Sequence, residues 1–248
     1  MVSITQYLRL DIAYDGTHFH GYQKQPGVRT VQSVLDHVLY QWFGSVHLVA
    51  AGRTDAGVHA HQQVISVQVN TPVPVAVIQH KLLNWKFEDI LIRSVVSVDA
   101  SFHARYSAQS RTYRYYFSDK PPSLWASRYV AQLPSQPADI MAIREALPTI
   151  VGSHDFYRFC RSGSSSSSTQ RHIFDARCLE IDTYWCVEIT ANGFLYGMVR
   201  NLLGAIFELV YQRKKQVDFD GLFTNDRSIV YNYRPVPSKG LTLYQVRY

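Results

Sequence analysis

Along the amino-terminal part of the chain, the spacing of apolar residues changes between the alternation typical of a strand and the spacing typical of a helix. Each change marks the start of a new element. Apolar residues alternate with polar ones from Leu8 to Tyr14, which is the period of a half-buried strand. After Thr30, which can cap a helix, the apolar positions from Val31 to Trp42 follow a helical period with one buried face. The elements predicted next are a strand Val46–Ala50, a strand through Ile65 and Val69, a helix opened by Pro72 and Pro74, and a strand Ile90–Val98.

The carboxyl-terminal part repeats this order of strand, helix, strand, strand, helix, strand. Its predicted elements are a strand Arg111–Phe117, a helix Ala138–Ile150 with an irregular end at Pro148, strands Ile173–Ile181 and Tyr184–Thr190, a helix from Val199 to Val210, and a strand Leu241–Tyr248. The prediction is an α+β fold of two ferredoxin-like or RNA-recognition-like βαββαβ units, joined through a central antiparallel sheet with an active-site cleft. The predicted halves are residues 1–104 and 105–248.

One polar stretch, A-G-R-T-D-A-G-V-H-A over residues Ala51 to Ala60, interrupts the apolar pattern between two predicted strands. Its two glycines, Gly52 and Gly57, permit a tight bend and a close approach of a ligand to the backbone. Asp55 is the single acid of the run. The residues alone leave two interpretations open, a surface connector with Asp55 as a turn former or a functional loop that presents its carboxylate.

Composition narrows the class of partner. The 248 residues are 46% hydrophobic and 18% charged, which is typical of a globular protein with a core. A formal net charge of +6 favours a polyanionic partner, and seventeen tyrosines supply flat faces on which unpaired bases can stack.

Three cysteines without a C-x-x-C spacing indicate neither a disulfide framework nor a zinc cluster, and so predict a reducing compartment. The amino terminus has no basic region followed by an apolar run, and no segment approaches membrane-spanning length. We therefore expect a cytoplasmic protein that does not bind a membrane.

The run G-R-T-D-A-G-V-H, from Gly52 to His59, closely resembles the catalytic loop of the tRNA pseudouridine synthase A family. Further blocks extend the resemblance over nearly the whole chain. They are F-H-A-R-Y-S-A-Q-S-R-T-Y-R-Y-Y from Phe102, V-G-S-H-D-F from Val151, F-L-Y-G-M-V-R-N-L-L-G from Phe194, and the G-L-x-L-x-x-V-x-Y finish from Gly240. The resemblance implies that Asp55, Tyr113 and Arg200 are the catalytic residues.

The implied activity is an isomerisation of uridine to pseudouridine in the anticodon stem-loop, at tRNA positions 38, 39 and 40, by a homodimer that binds tRNA. The reaction has no net redox change, so neither a cofactor nor a metal is expected. It needs a nucleophilic or charge-stabilising carboxylate and a partner that keeps it ionised. The expected substrate contacts are Arg53, Thr54, His59 and Tyr113, and for His59 a bracing hydrogen bond within the loop is the preferred interpretation.

Two other functions fit parts of the sequence. Duplicated RNA-recognition-like units with positive charge suffice for a non-catalytic RNA-binding protein. By spacing, His59, His61 and Asp55 fit a metal-dependent hydrolase, whereas His18 and His20 lack a convergent third ligand.

Three segments carry weaker or divergent signals. The low-complexity segment Ser162–Ser168 is expected to be a solvated loop or an RNA-facing flap. The chain departs from the family pattern at His61-Gln62, where a small residue and a glycine are usual, and over Ser228–Pro237.

Overall fold

The computed structural model describes residues 4–133, 136–161, 163, 167–212, 223 and 233–248. Most of the predicted Ser162–Ser168 loop, and residues 228–232 of the divergent carboxyl-terminal segment, lie outside the described residues. The described part holds ten strands, paired mostly antiparallel, and four α-helices, which confirms an α+β fold. The chain forms two compact units, unit 1 with Met1–Gln109 and Thr242–Tyr248, and unit 2 with Ser110–Leu241.

Unit 1 is a sheet with two helices. Its elements are β1 (Ile4–Tyr14), α1 (Val31–Phe43), β2 (Val46–Ala50), β3 (His59–Thr71), α2 (Val75–Leu83), β4 (Ile90–Ser97) and nearly all of β10 (Leu241–Arg247). The strands follow the order β4-β1-β3-β10, and β2 also pairs with β3. All of these pairs are antiparallel except β3 with β10, which run parallel where Thr242 pairs with His59 and Leu243 with Ala60.

Local sequence explains why α1 begins where it does. The Thr30 hydroxyl accepts a hydrogen bond from the Ser33 backbone N–H at 3.2 Å, and the Ser33 hydroxyl accepts one from the Thr30 N–H at 3.0 Å. This reciprocal cap satisfies two backbone donors that a helix start otherwise leaves unpaired. The apolar positions Val31, Leu35 and Leu39 are then buried, as their spacing predicts.

Unit 2 contains the remaining elements. They are β5 (Ser110–Ser118), β6 (Ala131–Gln132), α3 (Pro137–Ala146), β7 (Gly152–Asp155), β8 (Gln170–Ile181), β9 (Tyr184–Ala191) and α4 (Met198–Tyr211). The strands follow the order β5-β9-β8-β7, and β6 pairs in parallel with β5. Tyr115 and Phe117 on β5 pack against Phe207 of α4, with ring centroids 6.1 and 5.2 Å apart, in the core of this unit.

The predicted order of elements is confirmed throughout unit 1. In unit 2, α3 ends at Ala146 and a short 3₁₀ segment Leu147–Ile150 follows, so the expected irregularity at Pro148 is confirmed. The strands β6 and β7 were not predicted. The last predicted strand, Leu241–Tyr248, is present as β10 (Leu241–Arg247), and the ferredoxin-like form of the two repeats stays a prediction.

The division at residues 104 and 105 stays a prediction beside the observed units. Among the described residues, no helix combines the length and the apolar character needed to cross a membrane.

Candidate active site

The polar stretch forms the loop between β2 and β3, and its first residues are tied to β3. The Ala51 N–H donates to the Val64 carbonyl at 2.8 Å. The amide of Gln63, a fully buried side chain, donates to the Gly52 carbonyl at 2.6 Å and accepts from the Gly52 N–H at 3.4 Å. Because one buried amide satisfies both backbone groups of Gly52, the backbone at the start of the loop is held in one conformation.

Asp55 lies at the tip of this loop and begins a tight turn. The Val58 N–H donates to the Asp55 carbonyl at 3.1 Å, and Gly57 within the turn has φ of +75°, a conformation that favours glycine. The Gly57 N–H donates to the Phe19 carbonyl at 3.2 Å. The side chain of Asp55 is half-buried. The sequence therefore places a carboxylate on a turn whose backbone is fixed on both sides.

A second loop, Asp15–Tyr22, packs directly against the Asp55 loop. A Cβ added at Gly16 would lie 2.0 Å from the Val58 carbonyl oxygen, and one at Gly21 would lie 2.6 Å from the Thr54 carbonyl oxygen. The Tyr22 N–H donates to that same Thr54 carbonyl at 3.0 Å. The backbones of the two loops thus touch directly, which only glycine permits at these two positions.

The side chain of Thr54 points into the core of unit 1. Its hydroxyl shares a hydrogen bond of 2.7 Å with the phenol of Tyr14, the last residue of β1. Burial raises the pKa of Tyr14 to about 12, although hydrogen bonds with Thr54 and Gln63 act in the opposite direction. Tyr14 therefore stays a neutral phenol near pH 7 and connects the residue before Asp55 to the sheet.

His59, at the start of β3, is only 3% exposed. Its Nδ1 accepts the Gly16 N–H at 2.9 Å and lies 3.2 Å from a carboxylate oxygen of Asp15. The ring thereby joins the end of the Asp55 loop to the supporting loop, which agrees with the bracing role expected for His59. Arg53, in contrast, is exposed on the surface of the loop.

Tyr113 and Arg200, the other two residues in the expected catalytic set, belong to unit 2. Tyr113 lies on β5, is mostly buried and meets Phe194 edge-to-face with ring centroids 5.0 Å apart. Arg200 lies in the first turn of α4, where its Nε donates to the Val236 carbonyl at 2.9 Å and its own carbonyl accepts the Val236 N–H at 3.1 Å. The first bond fixes the side chain at Nε, and the second pairs the backbones of Arg200 and Val236.

The segment Arg234–Val236, which bonds to Arg200, packs tightly on α4. A Cβ at Gly204 would lie 2.1 Å from the Arg234 carbonyl oxygen, so the glycine one turn after Arg200 permits this approach. Thr54, Asp55 and His59 are thus fixed within unit 1, and Tyr113 and Arg200 within unit 2. Their roles stay predictions.

The described residues contain no group of three or more His, Cys, Asp and Glu side chains arranged to hold a metal ion. The hydrolase alternative built on His59, His61 and Asp55 therefore has no ligand set in the described part of the chain. His59 uses its Nδ1 for the Gly16 N–H instead.

Sequence reasoning did not identify the residues that support the site, namely Tyr14, Gly16, Gly21 and Gln63. The sequence carries a signal for the two glycines alone. Asp15-Gly16 is a dipeptide typical of a turn, and Gly21 lies in a polar, glutamine-bearing segment. Neither signal indicates that these glycines contact the Asp55 loop, because the contacts of Gly16 with Val58 and of Gly21 with Thr54 join residues far apart in the sequence.

Comparison with known proteins gives a consistent result. The family described as tRNA pseudouridine synthase matches residues 12–107 and 146–248, which is most of the chain and includes the Asp55 loop and α4. The chain belongs to the tRNA pseudouridine synthase family. Membership confirms the predicted enzyme class, an isomerase, at the level of the family.

Several curated relatives carry the name tRNA pseudouridine synthase A. The protein of Geobacillus kaustophilus is 37% identical over 99% of this chain and 95% of its own length. That of Thermosynechococcus vestitus is 36% identical over 98% of this chain and 86% of its own length. That of Thermoanaerobacter sp. is 35% identical over 96% of this chain and 97% of its own length. The likeness to these tRNA pseudouridine synthases therefore extends over both units.

Proposed function

We propose that this chain converts uridine to pseudouridine in the anticodon stem-loop of tRNA, with Asp55 as the catalytic carboxylate. The observation that carries the proposal is the fixed Asp55 turn. The turn stands within an unbroken G-R-T-D-A-G-V-H run and is supported by buried Gln63 and by the backbone of a second loop. A rigid loop holds a reacting group more accurately than a mobile one, and this accuracy lowers the barrier to reaction.

The reaction balances without any other reactant. The bond from ribose C1′ to uracil N1 breaks, the base turns, and a bond from C1′ to C5 forms. C5 loses a proton and N1 gains one, so no electrons enter or leave. The carboxylate of Asp55 acts as the nucleophile, as the base, or as the negative charge that stabilises an electron-poor ribose. A half-buried position suits this role, since it limits contact with water while part of the residue stays exposed towards a substrate.

Arg200 and Tyr113 enter the proposal through the resemblance. A guanidinium favours the ionised form of a carboxylate, which is the role proposed for Arg200. An aromatic ring offers a flat face for the detached uracil, and its hydroxyl can exchange a proton with C5, which is the role proposed for Tyr113. Arg53, exposed beside Asp55, is proposed to contact the RNA backbone.

The wider proposal keeps the ferredoxin-like character of the fold, a homodimer, and a cytoplasmic location. The element order of unit 1 supports the first of these. Sedimentation of the purified protein at micromolar concentration tests the second, and a mass of about twice 28.4 kDa is the expected result.

The deciding experiment compares purified Asp55→Ala and Asp55→Asn proteins with the unaltered chain on an unmodified tRNA transcript. We expect both to lose pseudouridine formation by at least about a hundredfold, while tRNA binding stays within about threefold. Asp119→Asn, at an exposed aspartate of unit 2, is the control and should retain full activity. Pseudouridine formed by Asp55→Ala would refute the assignment of Asp55, and an unaltered chain that binds tRNA without modifying it would identify a non-catalytic RNA-binding protein.

A further inference from the structure

The two strands that flank β1, namely β3 and β4, each contain a β-bulge, and the two bulges lie opposite neighbouring positions of β1. On the β4 side, Asp11 pairs with Ser94 and the next residue, Ile12, pairs with Ile92, so Arg93 is an extra residue. On the β3 side, Ile12 pairs with Gln63 and Tyr14 with Ala60, so His61 and Gln62 together oppose Ala13. A bulge redirects side chains, and these two redirect Arg93, His61 and Gln62 at neighbouring positions of one sheet.

The redirected side chains line an open pocket of about 330 Å³ within unit 1. Its walls include Asp11, His61, Gln62, Arg93, Tyr244 and Gln245. This volume is at the lower end of the range for small-ligand sites and is sufficient for one nucleotide. The lining residues carry both polar groups and planar rings, which suits a ligand with a charged group and a flat group.

His61 is held as a neutral imidazole between two partners. Arg93 Nη1 lies 3.2 Å from His61 Nε2, and because a guanidinium has no acceptor, that ring nitrogen must accept. His61 Nδ1 lies 3.3 Å from the Tyr244 carbonyl, which only accepts, so Nδ1 carries the hydrogen. The imidazole also stacks on the Tyr244 ring, with centroids 4.8 Å apart and planes 21° from parallel. One face of the exposed imidazole thus packs on Tyr244 and the ring is fixed in orientation.

The carboxylate in the pocket is already neutralised. Asp11 accepts two hydrogen bonds from Arg9, at 2.7 and 2.9 Å, and a third from Gln62 Nε2 at 3.0 Å. The carboxylate of Asp11 is thus paired with Arg9, so it does not cancel the positive charge of Arg93. An anion at Arg93 gains from this charge, since a guanidinium presents five N–H donors and only one of them is directed at His61.

We propose that this pocket binds one unpaired nucleotide of the substrate RNA, with its phosphate on Arg93 and its base stacked on the outer face of His61. This proposal rests on the proposed function, which identifies the class of ligand as RNA. An aromatic ring next to a guanidinium is the combination that binds unpaired nucleotides in RNA-binding proteins. The usual family residues at His61 and Gln62 are a small residue and a glycine, so this contact would extend the RNA surface at a place where the chain departs from its family.

The phosphate contact is tested with Arg93→Gln, in an Asp55→Ala background that prevents turnover. The probe is an unmodified tRNA transcript, and its dissociation constant is measured from 50 to 300 mM KCl. We expect binding about tenfold weaker and a logarithmic salt slope smaller by about 0.7 to 1, the value for one lost phosphate contact. Lys86→Gln removes an equal charge from an exposed position of unit 1 and should leave both quantities nearly unchanged. An Arg93→Gln protein that behaves like Lys86→Gln would overturn the proposal.

The stacking contact is tested with His61→Ala and His61→Phe. His61→Ala should weaken tRNA binding about five- to tenfold, whereas His61→Phe, which retains a flat ring over Tyr244, should bind within about twofold of the unaltered protein. Thermal unfolding of both variants shows whether the stability of the fold is preserved. Equal losses in the two variants with unchanged melting temperatures would exclude stacking and overturn the proposal.

These outcomes separate the two proposals. If the unaltered chain forms pseudouridine and neither set of variants changes tRNA binding, the pocket proposal alone fails. If the unaltered chain binds tRNA and forms no pseudouridine, the proposed function fails, and the variants still report on the pocket.

Discussion

Asp55 in unit 1 and Glu188 in unit 2 differ in what holds them: hydrogen bonds from two arginines fix the side chain of Glu188, and hydrogen bonds of the neighbouring backbone fix the turn that carries Asp55. Glu188 lies on β9 and is 5% exposed, and its oxygens accept hydrogen bonds from Arg114 at 2.6 Å and from Arg177 at 2.6 and 3.0 Å. Around Asp55, hydrogen bonds fix the neighbouring backbone at Gly52, Thr54 and Gly57. Glu188 is thus held inside a sheet by two arginines, whereas Asp55 lies on a turn with a fixed backbone, which is the arrangement that the proposed function requires.

The charge of Glu188 contributes to stability in a pH-dependent way. Burial acts to raise its pKa, but the hydrogen bonds from Arg114 and Arg177, together with their positive charge, hold the pKa below its ordinary value. A carboxyl whose pKa is lower in the folded state stabilises the fold above its ordinary pKa, and this contribution is lost as the pH falls through the lowered value. The effect therefore belongs to the region below about pH 4.5.

The largest expected effect disrupts the backbone support of Asp55. Gly16→Val places side-chain atoms against the Val58 carbonyl, where even a Cβ would lie 2.0 Å away, and the backbone of one loop must move. We expect a loss of about 3 kcal/mol in the free energy of unfolding and loss of pseudouridine formation. Urea unfolding and a tRNA modification assay measure these two effects. Gly193→Ala, whose new Cβ would meet its nearest neighbour at 3.7 Å, is the control and should change neither.

A smaller effect is expected at Glu188 and tests the other half of the comparison. Glu188→Gln keeps the shape of the side chain but removes its charge between Arg114 and Arg177. At pH 7 we expect a loss of about 2 kcal/mol, less than for a fully enclosed pair because Arg177 is half exposed to water. The difference should shrink as the pH falls below about 4, because the carboxyl of the unaltered protein then becomes protonated as well. A difference that stays constant from pH 7 to pH 3 would contradict this account.

The smallest effect is expected at Tyr14, where a single hydroxyl is removed. Tyr14→Phe eliminates the hydrogen bond to Thr54 and should cost about 1 kcal/mol of stability. If the backbone contacts alone position Asp55, the turnover rate should fall less than about threefold. A fall of a hundredfold with unchanged stability would show that the Tyr14–Thr54 bond controls the position of Asp55, and so would break the contrast drawn above.

Most of the fold could be predicted from the sequence because the spacing of apolar residues is a property of one continuous segment. The helix capped by Thr30 and the alternation from Leu8 to Tyr14 each occupy one continuous segment, and both elements are present. The short strands β6 and β7, of two and four residues, offer too few positions for a period to be visible. Strand β10 has a clear alternation, but its partner is a matter of long-range pairing, which alternation does not encode.

The same distinction applies to the site. The motif around Asp55 is continuous in sequence, so it could be identified, together with the glycines that make it a turn. The supporting contacts from Gly16, Gly21 and Gln63 join separate segments and became visible only in the structure. The bulges at His61 and Arg93 depend on the register of three strands, so the two residues showed no relation in the sequence beyond the departure from the family pattern at His61-Gln62.

The parallel pairing of β10 with β3 has a consequence for how the molecule is made. During synthesis, residues 1–109 are made well before Thr242 and Leu243, so His59 and Ala60 at the start of β3 lack their β10 partners until these late residues are made. The later part of β3 can already pair with β2. The start of β3 therefore stays without this pairing while residues 110–241 are translated. A chain that stalls before residue 242 should therefore lack the β10 pairing at His59 and Ala60, directly after the Asp55 loop.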